Sequence, residues 1–230
     1  MIVTATKEID EIVESLGPAR SVHLFGCDSC AQQCRTGGPE ELGAMEAVLR
    51  ERGFRVTGGS IVDETCYLQL VKREYRRNEA LSGADAVLVL ACGAGVRTVA
   101  EAAPATQPVL PALDSIFLAS VERVGRFFEG CALCGVCELG RTAAVCPHTQ
   151  CPKGLLNGPC GGVVDGGMCE VNLDNRCAWI RIYERLRAQG RLHVMRKTAA
   201  PKDNSGAVGP RRVVLEHPPG KAPLSKRGED

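Results

Sequence analysis

Apolar positions in the first half of the chain switch repeatedly between helical and strand spacing. Ile9, Ile12, Val13 and Leu16 recur at i, i+3, i+4 and i+7 ahead of Gly17, which predicts an amphipathic helix over residues 5–16. SVHLF (21–25) reads as a short strand. Pro39 then stands at a helix start, and Leu42, Met45, Val48 and Leu49 form an apolar stripe that Gly53 ends. FRVTGGSIV (54–62) reads as a second strand broken by glycine, and the charge-rich stretch 67–80 as a helix. ADAVLVLAC (84–92) is a continuous apolar run of the kind buried on both faces of a parallel sheet, and PVLPALD (108–114) supplies a fourth strand. Strands alternating with helices predict an α/β fold with a small doubly wound parallel sheet.

The second half carries one helical pattern, in DNRCAWIRIYERLRAQG (174–190). Trp179, Ile182, Tyr183 and Leu186 follow the helical period, Asp174 is placed to cap the start, and Gly190 ends it. The aromatic pair reads as core rather than as an electron path. The rest of this half has no apolar period.

Composition explains how such a segment could hold together. One Trp, three Tyr and five Phe in 230 residues supply little bulky filler, while thirteen residues are cysteine. A net charge of +1 argues against a nucleic-acid or polybasic membrane surface. No apolar run reaches the roughly 18–20 residues that span a bilayer, and the start lacks the features of a secretory signal. The expected compartment is the cytoplasm, where persistent disulfides are rare and dense cysteine signals metal, cluster or redox chemistry.

Five cysteines (Cys27, Cys30, Cys34, Cys66, Cys92) lie in the first half and eight (Cys131, Cys134, Cys137, Cys146, Cys151, Cys160, Cys169, Cys177) between 131 and 177. The gap places a boundary near 122. In a parallel α/β sheet, ligands gather beyond the carboxyl ends of the strands. Cys27, Cys30 and Cys34 follow the first predicted strand, Cys66 the second, and Cys92 ends the third. The CxxCxxxC turn plus one remote cysteine matches the four thiolates of a 4Fe-4S cluster, with Cys66 and Cys92 both open as the fourth. Four thiolates also suit zinc, which is the alternative. Gly93-x-Gly95-x-x-Thr98 is an incomplete dinucleotide fingerprint and reads as turn glycines, and no GKS or GKT triplet supports a phosphate loop.

The later eight cysteines make two sets of four. CALCGVC has the CxxCxxC turn of bacterial ferredoxins, but the next cysteine, Cys146, comes too late for the ferredoxin fold. In CPKGLLNGPCGG (151–162), glycine and proline would let the backbone bend around an inorganic core and aim N–H groups at sulfur, with Leu155 and Leu156 covering the site. Cys177, in the first turn of its helix, is a favourable thiolate position. Among the histidines, His23 reads as packed or facing a partner, and His193 and His217 as polar surroundings. His148, though it sits among the cysteines, reads as a surface residue. No Ser/His/Asp set or carboxylate pair supports hydrolysis.

The organisation expected is therefore a flavodoxin-like or Rossmann-like cluster-binding domain over 1–122, an irregular cysteine-rich iron-sulfur domain over 123–196, and a disordered basic tail over 197–230.

The segment from GRFFEG to RIYERL, with CPKGLLNGPCGG, CEV and CxW, resembles the cysteine-rich family named after the C-terminal part of methylenetetrahydrofolate reductase. GCDSCAQQCRTGG and LACGAGV resemble the N-terminal domain of the small iron-sulfur subunit of the two-subunit methylenetetrahydrofolate reductase of anaerobic bacteria. The resemblance implies an electron-transfer subunit holding two or three 4Fe-4S clusters, one on the first five cysteines and the others on the later eight. Its partner would be a separate flavin-bearing catalytic subunit, a barrel of about 250 residues that a chain of this length cannot also contain. The electron donor would be a ferredoxin or a larger redox complex. A zinc-organised scaffold for a folate enzyme, and an independent redox enzyme with its substrate at the first cysteine group, are the other readings.

Overall fold

The computed structural model describes residues 1–203 and 211–214, which divide into two compact units, Met1–Gly130 and Cys131–Asp230. The first unit opens with strand β1 (Ile2–Thr6) and helix α1 (Ile9–Leu16), then β2 (Ser21–Cys27), α2 (Cys30–Gln33), α3 (Pro39–Glu51) and β3 (Arg55–Val62). It continues through α4 (Leu68–Arg77), α5 (Glu79–Ser82), β4 (Ala86–Leu90), α6 (Gly93–Ala102), β5 (Val109–Pro111), β6 (Leu113–Arg123) and β7 (Arg126–Cys131).

Four strands form a sheet in the order β3-β2-β4-β5, all parallel. From the central β2 the chain moves outward to β3 and returns to the other side of β2 as β4, so the loops after β2 and β4 part at a switch point. All five residues of β4 are buried, as its unbroken apolar run predicts. Val22, Leu24 and Phe25 of β2 join them, against Ile12 and Leu16 of α1, Leu42 and Leu49 of α3, Val71 of α4 and Val99 of α6. Each side chain so buried contributes about 1.5–3 kcal/mol.

Three features depart from the sequence pattern. Residues 2–6, the start of the predicted first helix included, are the strand β1, and α1 begins only at Ile9. The turn glycines at 93 and 95 belong to the ten-residue helix α6. The predicted fourth strand divides at Ala112: β5 extends the parallel sheet, whereas β6 pairs antiparallel with β1 in a second sheet, β1-β6-β7. Residue 122 lies inside β6, and the boundary between the two units along the chain falls at the end of β7.

His23 is packed within the parallel sheet. It is 1% exposed, with Nδ1 3.0 Å from Thr57 Oγ1 and Nε2 3.0 Å from Ser60 Oγ. Ser60 donates to Glu74 Oε1 (2.7 Å), and Asn78 donates to both. Burial pushes the His23 pKa down. Burial also pushes the Glu74 carboxyl up, but hydrogen bonds from Ser60, Asn78 and Arg77 outweigh it and leave the group below its usual range.

The second unit has little regular structure: α7 (Pro147–Gln150), a two-residue hairpin of β8 (Val163–Val164) and β9 (Met168–Cys169), and α8 (Ala178–Ala188). Its small core is Ala143, Val145, Ala178, Trp179, Ile182 and Leu186. Tyr183 is 41% exposed, so the aromatic pair is not a buried pair. Cys177, not Asp174, stands at the N-cap of α8; Asp174 lies in the preceding turn, donating its N–H to Asn172 Oδ1. Of the predicted tail, residues 197–203 are described and hydrogen-bonded to the unit, 211–214 are exposed, and 204–210 and 215–230, with His217, lie outside the described residues. Among the described residues no helix is long and apolar enough to cross a membrane.

Candidate metal centre

The carboxyl edge of the parallel sheet receives all five cysteines of the first unit. Cys27 closes β2 and is buried, its N–H donating to Gly37 O (3.0 Å). Cys30 opens α2, and Cys34 caps it with an N–H bond to Cys30 O (3.1 Å). Arg35, at φ +55°, then turns the chain back so that Thr36 N–H reaches Ala31 O. The Cys34 thiol points toward Ile2 O (3.8 Å) of β1.

Cys66 follows β3, and Cys92 is the N-cap of α6. The loops bearing them pack on the end of β2: Thr65 Oγ1 donates to Gly26 O (2.9 Å), and Thr98 Oγ1 lies 3.5 Å from Cys66 O. Desolvation raises the Cys66 thiol pKa, and the nearby Cys92 and Cys27 push it the same way. Beside them is a cavity of about 420 Å³ lined by Asp28, Ser29, Asp63, Glu64, Tyr67 and Leu70.

In the second unit the turns themselves address the sulfurs. Leu133 N–H donates to Cys131 Sγ (3.3 Å), and Gly162 N–H to Cys160 Sγ (3.4 Å). Both bonds bridge residues two apart. They require sharply bent backbone, supplied by Leu133 at φ +52° and by Gly161 at φ +85°. Cys151 and Cys177 both lie against the Trp179 core. The hairpin pairs Val163 with Cys169, whose N–H donates to Asn175 O, while Cys177 N–H donates to Gly167 O. Leu155 packs on the same core and its carbonyl accepts from Trp179 Nε1 (3.0 Å), so this part of CPKGLLNGPCGG is anchored to α8.

Two arrangements lay outside the sequence reading. Glu170 accepts from the Cys160 thiol (3.4 Å) and from Lys153, and its carboxylate occupies the space a Cβ at Gly162 would need. The Lys153 ammonium, then the Cys160 thiol, hold the Glu170 pKa low. Cysteine also recurs at helix N-termini: besides Cys177, which the sequence already put at the start of its helix, Cys92 and Cys146 are N-caps, of α6 and α7. For Cys92 this was hidden because α6 is glycine-rich. His148 is half-buried rather than on the surface, and its Nε2 is buried without a hydrogen-bond partner. His193 is exposed.

All thirteen cysteines are free thiols. Among the described residues no three Cys, His, Asp or Glu side chains close around a single ion position. Cysteine thiols are the donor type that both zinc and an iron-sulfur cluster take, and backbone N–H groups already lie on two of the sulfurs.

The class defined is a parallel α/β sheet with cysteine-bearing loops at its carboxyl edge, joined to a core-poor, cysteine-rich unit. Residues 110–205 match the family model described as Methylene-tetrahydrofolate reductase C terminal. The match likens this part of the chain, under half of its length, to the C-terminal part of methylenetetrahydrofolate reductase. No curated protein and no solved structure matches the chain.

Proposed function

We propose that this chain is an iron-sulfur electron-transfer subunit serving a flavin-bearing methylenetetrahydrofolate reductase catalytic subunit. The observation that carries the reading is the distribution of thirteen free cysteines over two loop systems, the second inside the segment that matches the reductase family. Cys27, Cys30 and Cys34 with Cys66 or Cys92 would hold one 4Fe-4S cluster, and the eight later cysteines two more. When bound, such clusters supply one-electron carriers whose potentials follow ligand type, hydrogen bonds and burial. The chain's own residues set the last two. Leu133 and Gly162 donate N–H bonds to sulfur, Thr65 ties the Cys66 loop to the end of β2, and Leu155 and Trp179 exclude water beside Cys151 and Cys177. A ferredoxin or a larger redox complex would be the donor, in the cytoplasm.

The test is a count of iron, acid-labile sulfide and zinc on anaerobically purified chain, followed by reconstitution with the flavoprotein. Iron and sulfide for two or three clusters are expected, together with donor-driven flavin reduction faster than in the partner alone. Zinc as the only stoichiometric metal overturns the reading. The tight CxxC turn at Cys131–Cys134 favours the second reading, a zinc-organised scaffold, because such turns also suit a tetrahedral ion. That scaffold requires equal flavin reduction with a folded, cluster-depleted chain.

A further inference from the structure

Beyond α8 the chain turns back onto the second unit. Leu192 and Met195 pack on the Trp179 core, and residues 197–202 then return across the loops that carry Cys134 and Cys160. Directional polar contacts hold this return. Arg141 donates Nη1 to Lys197 O (3.2 Å) and Nη2 to Leu156 O (3.1 Å). Asn157 makes a reciprocal pair with Ala199, Nδ2 donating to its carbonyl (3.1 Å) and Oδ1 accepting its N–H (2.7 Å). That is a strand-like pairing made by one side chain, and it gives Asn157 of CPKGLLNGPCGG a role separate from the cysteines. The return ends with Lys202 Nζ donating to Cys134 Sγ (3.1 Å) and to Val136 O. Below it is a cavity of about 30 Å³ whose lining includes Leu156, Asn157, Trp179 and Lys197.

We infer that residues 197–202 are a strap over the cysteine loops of the second unit, and that Lys202 is a positioning residue that fixes the Cys134 sulfur and sets its charge environment. Exposure distinguishes the three sulfurs of CALCGVC: Cys131 and Cys137 are exposed, whereas Cys134, the one Lys202 reaches, is half-buried. An ammonium held against a ligand sulfur stabilises the more negative, reduced state of the group it binds, and a covering segment limits water. Asn157 and Arg141 place the ammonium by fixing the backbone three to five residues before it.

The inference rests on the reading of Cys134 as a cluster ligand. Its test uses the full chain, purified anaerobically, as wild type, Lys202→Met, Lys202→Arg and Asn157→Ala. Iron and sulfide are counted, hydrogen exchange is followed over 197–203, and midpoint potentials are titrated by electron paramagnetic resonance. One cluster in Lys202→Met should shift to a more negative potential while the others serve as internal references. Lys202→Arg should restore it, and Asn157→Ala should speed exchange over the strap and shift the same cluster the same way. Loss of iron from Lys202→Met that Lys202→Arg rescues supports the same role; loss from both overturns the role of charge. Wild-type potentials and wild-type exchange in Lys202→Met overturn the inference alone. Wild-type protein without iron overturns the proposed function, and this inference with it.

Discussion

Gly37 sits where the segment after the CxxCxxxC turn crosses the carboxyl end of β4, and Gly37→Ala is the sharpest test of how that edge is built. A Cβ at this position would lie 2.0 Å from Leu90 O, 2.7 Å from Ala31 Cβ and 3.0 Å from Leu90 C. Neither neighbour can yield, since Ala31 is 0% and Leu90 1% exposed. The loop must therefore lift, straining the 3.0 Å bond from Cys27 N–H to Gly37 O. Overpacking costs about 1–3 kcal/mol, and a lost backbone hydrogen bond about 1 kcal/mol more. At roughly 4 °C per kcal/mol for a unit of this size, the expected fall in Tm is about 8–16 °C. Gly43→Ala is the matched control: it lies inside α3 with nothing within 4 Å of its Cβ, so helix propensity should stabilise it by up to about 1 kcal/mol. Thermal scans by circular dichroism read both, with hydrogen exchange of β2 and β4 amides assigning the change to the first unit. Gly37→Ala protein that melts with wild type, or two variants that move in the same direction, would refute this account of the edge.

Three further outcomes follow from the same contacts. Cys160→Ala should lose iron and loosen residues 131–196 while the first unit keeps its exchange protection, because the second core is small; full iron with an unchanged melt contradicts this. Ile182→Ala, at a position 0% exposed, should destabilise the second unit by about 2–5 kcal/mol in denaturant titration. Stability of the first unit should fall as pH drops below 6.5: burial keeps His23 neutral when folded, so the unfolded chain takes up the proton first, and the loss levels off below the lowered folded pKa. The Glu74 contribution is present above 4.5 and is lost as pH falls through that group's lowered value. Urea titrations at about pH 8 and about pH 5.5 measure the histidine step, which His23→Gln should flatten.

The amino-acid sequence determined those parts of this protein in which local apolar period and burial agree. ADAVLVLAC reads as a buried parallel strand because it is apolar without a break after Asp85, and β4 is one. The grouping of cysteines behind β2, β3 and β4 was equally legible, since a parallel sheet puts the ends of its strands on one edge. Tertiary structure decided the rest. Whether residues 2–6 extend a helix or pair as a strand depends on β6, more than a hundred residues away, which no local window contains. Ala112 divides one apolar run between two sheets for the same reason, accepting from Lys7 N–H of the β1 side while donating to Val89 O of β4. The N-cap role of Cys92 was masked by two glycines that weaken helix propensity, of which Gly95 is needed in α6 because a Cβ there would meet Ala91 and Thr65. The hold on residues 197–202 was invisible in a polar, basic stretch, because composition reports how little a segment can bury. It says nothing of partners such as Asn157, Arg141 and Cys134, which reach that stretch only after the second unit has folded.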